Sequence, residues 1–330
     1  MRDVAAQAGV SAMTVSRVLK GDPRVSDRSR ALVLAAVEEL GYRLNETARS
    51  LRVGGSGLIG LVVTNIANPF YSRLALGVQE VAGEHGLRVL LANTGEDTDR
   101  EQELVDDLLA RQVDGIVLVP AGTGQGPLAL VAARKMPLVL ASRPPLDIDT
   151  DCVLVDDFGG ARDATARLIA AGHRRIGFLG NPPALYTGAE RFRGYWAAHE
   201  EAGLEPDELL VRRGLRDPAT AQKAAQELLD GPDAPTALFC TNNRLTQGAV
   251  RAVRSSARTT ALAGFDNFEL ADVLGIPLTI AAYDPDEVGR RAARMLIDRI
   301  RPSSDHPLPA RRTVVPTHVI EYGPRHNGWA

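Results

Sequence analysis

The chain predicts an α/β protein: a head of three short helices, a short hinge helix, and a body whose two lobes are built on parallel sheets. Two patterns predict it. Over the first 41 residues apolar side chains recur at helical spacing in short blocks, whereas from Leu58 onward continuous aliphatic runs of strand length alternate with longer amphipathic stretches. Between them, GGSG at 54–57 forms a flexible joint. With 330 residues, 45% of them hydrophobic, the chain can fill several cores.

In the head, Val4, Ala5 and Ala8 form the first apolar stripe, Gly9 ends that helix, and the Ser11 hydroxyl caps the next. Val15, Val18 and Leu19 repeat at i, i+3 and i+4 and face inward. Ala12, Met13, Ser16 and Arg17 are left pointing outward, with Thr14 on the flank. A third helix follows Ser26 as its N-cap; Val33, Ala36, Val37 and Leu40 lie on its inner face and Gly41 stops it. Two short helices around a glycine turn, followed by a third, make a helix-turn-helix, whose second helix fits the major groove of DNA. Short side chains at its start let the backbone approach base edges. Ala12 and Met13 suit thymine methyls, Arg17 suits a bidentate contact to guanine, and Ser11, Thr14 and Ser16 suit phosphates. A small three-helix bundle used for protein contacts satisfies the same pattern.

Charge separates the parts. The first 52 residues hold nine basic residues against six acidic ones, a net of +3, so the remainder carries −6 of the overall −3. A basic head on an acidic body points to a polyanion met by the head alone. The two cysteines, Cys152 and Cys240, are too few for a disulfide framework and fit a reducing compartment. No apolar run reaches membrane-spanning length and no secretory signal precedes the first helix, so a cytoplasmic protein with no membrane partner is expected. The six histidines are scattered, so no metal and no cofactor are expected. GTGQG at 122–126 is not a dinucleotide fingerprint, and the chain has neither a phosphate-binding loop of the Walker type nor a nucleophile elbow. An enzyme is therefore not expected.

The body reads as two series. LIGLVV, LRVLLA, VDGIVLVP and PLVLAS are the strands of the first; RRIGFLG, ELLVRR, TALFCTN and TTALAGFD are those of the second, with helices near 160–171, 189–203, 218–229 and 243–254. The segment after LTIAAYDP reads as a return crossing to the first lobe. Ligands of open α/β sheets bind beyond the carboxyl ends of the strands, which puts the expected site in the cleft between lobes.

RDVAAQAGVSAMTVSRVLKG, the following VSDRSRALVLAAVEELGY, and NETARSLRVGGSGLIGLVV resemble the head and hinge of the LacI/GalR family of bacterial transcription regulators. NPFY at 68–71, DDFGGA at 156–161, GHRRIGFLG, TGAERFRGY at 187–195, ALFCTNN, AGFDN and LTIAAYD extend the resemblance along the body. It implies a helix-turn-helix domain over 1–44, a hinge helix and linker over 45–57, and an effector-binding body over 58–330 similar to a periplasmic sugar-binding protein. Lobe one is expected near 58–157 and 284–312, lobe two near 158–283 and 313–330. The resemblance also implies that paired hinge helices wedge Leu51 into the minor groove, a contact type that kinks DNA by ~20–90°. The cleft-facing positions it implies are Phe70, Tyr71, Arg143, Asp156, Arg191, Phe239, Asn242, Asp266 and Tyr283. Rings stack on sugar faces while Arg, Asn and Asp bond hydroxyls. Asn243 stands where the family usually has Asp, and RSSARTTALAGFDN is short and lacks the usual proline before its strand.

The expected function is a ligand-responsive transcription regulator, a repressor acting as a homodimer on pseudo-palindromic operator DNA, with a sugar or sugar derivative as its small-molecule effector. Alternatives are a DNA-binding regulator controlled by a protein corepressor and a solute-binding protein without a DNA function; the basic head argues against the second.

Overall fold

Short apolar stripes are stable only against one another, and the head supplies three. The computed structural model describes residues 1–19, 21–41, 55–122, 131, 133–145, 148–302 and 309–323. The chain divides into Met1–Ser56 and Gly57–Ala330, taken in turn. In the first unit α1 (Arg2–Ala8), α2 (Ala12–Leu19) and α3 (Asp27–Glu39) enclose Val4, Ala5, Ala8, Val15, Val18, Val33 and Ala36, with Leu19 and Val37 packed at the rim. Gly9 takes φ 64°, the left-handed conformation that ends α1 and that a β-carbon disfavours. Ser11 Oγ accepts the Thr14 N–H at 3.1 Å, and Ser26 Oγ accepts that of Ser29 at 3.3 Å, so both expected caps are made. Gln7 Nε2 donates to Glu39 Oε2 at 2.6 Å and ties α1 to the end of α3. Leu40 departs from expectation: α3 ends one residue before it, and it is 44% exposed. The expected hinge helix and Leu51 lie outside the described residues.

In the second unit, strands and helices alternate. The first lobe is built from β1 (Leu58–Val63), α4 (Pro69–Glu84), β2 (Arg88–Asn93), α5 (Thr98–Ala110), β3 (Gly115–Leu118), β4 (Leu138–Ala141) and β5 (Asp151–Val155). The second holds α6 (Asp157–Ala170), β6 (Ile176–Leu179), α7 (Tyr186–Glu201), β7 (Val211–Arg212), α8 (Pro218–Asp230), β8 (Ala237–Cys240), α9 (Asn243–Ser255), β9 (Ala261–Phe265) and β10 (Leu278–Ala282). The chain then returns through α10 (Pro285–Ile300) to β11 (Arg312–Val315) and crosses once more to β12 (His318–Tyr322). The sheet orders are β11-β5-β4-β3-β1-β2 and β12-β10-β9-β8-β6-β7. All neighbours are parallel except β10 and β12.

The central strands are buried along their length, as sheets covered by helices on both faces require. One boundary moves. Arg312–Val315 pairs in register with Cys152–Val155, so the last crossing falls at Pro316 and Thr317 rather than at 312/313. ELLVRR contributes only a two-residue strand, preceded by a 3₁₀ turn over Glu208–Leu210. In both lobes the strands' carboxyl ends converge on one cleft.

Candidate functional site

The cleft, a cavity of about 190 Å³, is lined by residues from the segments at the strands' carboxyl ends: Asn65 and Asn68 after β1, Glu96 after β2, Ser142 and Arg143 after β4, Asn181 after β6, Arg216 after β7, Asn242 and Arg244 after β8, Asp266 after β9 and Tyr283 after β10. Phe70, Tyr71 and Arg191, on α4 and α7, complete the expected set. Seven of the nine residues expected in the cleft therefore meet there: Phe70, Tyr71, Arg143, Arg191, Asn242, Asp266 and Tyr283.

Two do not. Phe239 is fully buried in the second lobe, stacked on Phe178 at 5.8 Å between ring centres, because β8 is a central strand covered on both faces. Asp156 is the N-cap of α6, its carboxylate accepting the Gly159 N–H at 2.9 Å. The neighbouring Asp157 does not line the cleft either but is buried behind it, where Arg191 Nε donates to Asp157 Oδ1 at 2.7 Å. The DDFGGA motif thus reaches the site only through Arg191, which Asp157 holds from behind. Reading the polar residues within about four positions after each strand, by the rule that ligands meet carboxyl ends, would have found Asn65, Asn181, Arg216 and Arg244 as well.

Arg191 organises the floor. Its guanidinium also bonds the Thr241 carbonyl, lies 3.5 Å from Asp266 Oδ2, and covers the Phe265 ring with its central carbon 3.6 Å from the ring centre. Tyr283 donates to Asp266 Oδ1 at 2.7 Å, and Asp266 holds φ 66°, a strained backbone that turns its carboxylate into this network. Burial raises the Asp157 carboxyl to about 6 although Arg191 opposes it, because one guanidinium serves two carboxylates. Burial disfavours charge on Arg191 in turn, but Asp157 and Asp266 outweigh it and hold the cation above its ordinary range. The Tyr283 hydroxyl is pushed well up, by burial first and by Asp266 second, so it remains a donor.

On the opposite wall Arg143 is clamped by Glu96 through two 2.9 Å bonds and by the Pro120 carbonyl. Asn68 caps α4 through the Phe70 N–H at 3.1 Å, which fixes the edge-to-face pair of Phe70 and Tyr71 at 4.8 Å. Rings, amides and paired charges at fixed positions suit a small polyhydroxylated ligand.

In the head, Ser11, Ala12, Met13 and Arg17 are exposed, Met13 at 66%, while Thr14 and Ser16 are half-buried. All six lie on α2 or at its cap: Met13, Ser16 and Arg17 face away from Val15 and Val18, Ala12 and Thr14 lie on the flanks, and Ser11 caps the helix. Ser11 Oγ and Thr14 Oγ1 lie 3.0 Å apart, so part of the hydroxyl capacity expected for phosphate is used in capping.

Comparison with known proteins agrees with both halves. Residues 1–45 match the model for bacterial regulatory proteins of the lacI family, and residues 56–320 match that for periplasmic binding proteins and the sugar-binding domain of the LacI family. The chain is 34% identical to the HTH-type transcriptional regulator CelR of Thermobifida fusca, over 96% of this chain and 95% of that protein. It is 31% identical to the HTH-type transcriptional repressor CytR of Escherichia coli K12, over 91% and 89% of the two chains. A solved complex of the transcriptional regulator CelR with cellobiose has a TM-score of 0.73 and 33% identity, covering 96% of this chain and 97% of that one. These relatives are regulators, not enzymes. A helix-turn-helix head on a two-lobed, cleft-bearing body, matched by both family models, identifies the chain as a member of the LacI family: a DNA-binding transcription regulator with a sugar-binding domain.

Proposed function

We propose that this regulator is a repressor that acts in the cytoplasm as a homodimer on a pseudo-palindromic operator, and that a sugar in the cleft changes its grip on DNA. Twofold symmetry duplicates the head, which places two α2 helices in successive major grooves. Arg17 reads a guanine edge, Ala12 and Met13 meet thymine methyls, and Ser11, Thr14 and Ser16 hold phosphates. Leu51 is the minor-groove wedge. In the body, Arg191, Asp266, Asn242 and Arg143 bond the ligand's hydroxyls while Phe70, Tyr71 and Tyr283 pack on its apolar face. The observation that carries this reading is the buried Arg191, Asp157, Asp266 and Tyr283 network at the carboxyl ends of the strands. The solved complex of a relative with cellobiose supports a carbohydrate.

The test is operator binding, by fluorescence anisotropy on selected duplexes, with and without sugars. Ligand coupling of ~1–3 kcal/mol is expected. Arg17→Ala should weaken specific binding by ~1–3 kcal/mol and relax preference at one base pair, leaving sugar affinity unchanged. Equal losses on specific and random duplexes would remove Arg17 from base reading.

A further inference from the structure

Four arginines line the cleft, Arg143, Arg191, Arg216 and Arg244, against two carboxylates, Glu96 and Asp266. The carboxylates are spent: Glu96 holds Arg143, and Asp266 is shared by Tyr283 and Arg191. Even with Asp157 counted behind Arg191, the cations are in excess. Arg216 and Arg244 have no hydrogen bond or ion pair to a carboxylate among the described residues. The Arg244 Nε is moreover buried with no partner. Its charge acts on Asp217, whose side chain is occupied capping α8 through the Thr220 N–H at 2.8 Å.

The loops that carry the two arginines are tied together. Arg216 and Arg244 follow β7 and β8, the two neighbours of β6. Between them Asn181 bonds both loops: its Nδ2 donates to the Leu215 carbonyl at 3.2 Å, and its Oδ1 accepts from Thr241 at 2.8 Å and Asn242 at 3.1 Å. Two strand spacings separate the loops by roughly 9–10 Å, a gap that two arginine side chains close around one anion. Arg244 also sits in the first turn of α9, where the helix dipole disfavours a cation and favours an anion. An unpaired guanidinium there is a cost that an arriving anion reverses.

We propose that the ligand of this cleft is an anionic carbohydrate, its carboxylate or phosphate gripped by Arg216 and Arg244 while its hydroxyls meet Arg191, Asn242 and Asp266. This rests on the reading that the cleft binds a sugar. The test is calorimetric titration and thermal shift of the full-length protein with glucose, galactose and ribose, each against its uronate or phosphate ester, and with inorganic phosphate alone. Anionic members should bind at least tenfold more tightly than their neutral counterparts, with affinity falling as NaCl rises. Whether uronates or phosphate esters lead identifies the anionic group. R216Q and R244Q should each cost the anionic ligand roughly tenfold and the neutral one little, since each removes a charge-assisted bond. If a variant does not fold, the salt dependence in the parent decides. Neutral sugars binding as well as anionic ones overturns the proposal while leaving the sugar reading intact. Inorganic phosphate binding as tightly as its sugar ester overturns it too. Absence of binding by every sugar of either kind overturns both readings.

Discussion

Arg191 shows how much a single side chain decides at the residue scale. Its bonds to Asp157 and Thr241 are internal, so it is a scaffold for the cleft as well as a wall of it. The sequence could not separate Asp156 from Asp157, since adjacent aspartates before a helix compete for one cap. Only the fold shows that the first caps α6 and the second is buried against Arg191. Phe239 was illegible for a related reason: a strand apolar on both faces gives no polarity from which to tell cleft from core. A pH dependence follows from Asp157. Its folded pKa, about 6, lies above the ordinary 3.8, so the folded state takes up the proton first and stability from this group falls as pH rises from about 4 to 6. Asp157→Asn should flatten that part of the melting-temperature profile; an unchanged slope between pH 4.5 and 6.5 would contradict the assignment.

At the scale of elements, the union of α4 with α10 joins the return segment to the first lobe. A β-carbon on Gly77 would fall on the Asp286 carbonyl, and one on Gly289 on that of Leu74, so the backbones touch only because both positions are glycine. Arg73 clamps the same joint with two 2.7 Å bonds to Asp286. Gly289→Ala should push the helices apart and cost about 1–3 kcal/mol, read as a lower urea midpoint. Full parental stability would mean the joint yields without strain. Aliphatic runs made most strands legible. β5 escaped because Asp151 and Cys152 interrupt its apolar pattern; Asp151 is buried only because Arg299 at 2.7 Å and Arg311 at 2.9 Å neutralise it, two partners some 150 residues away in the chain. β11 and β12 are half-exposed edge strands, RTVV and HVIEY, too short and mixed to stand out.

At the scale of the whole body, a buried bond joins the lobes beside the cleft: Asn243 Nδ2 donates to Asn68 Oδ1 at 2.9 Å. An amide suits this position, because a carboxylate at 243 would face an oxygen already committed to capping α4. Asn243→Asp should therefore cost roughly 1–3 kcal/mol, measured as a drop in melting temperature at pH 7. A variant as stable as the parent would show that the link carries no energy. The passage at Pro316 and Thr317 reaches furthest, since it lets two short neighbouring strands finish two separate sheets. Until the ribosome has released residues 312–322, β5 and β10 each present an unpaired apolar border, and a nascent or truncated polypeptide lacking that stretch is an invitation to edge-to-edge aggregation.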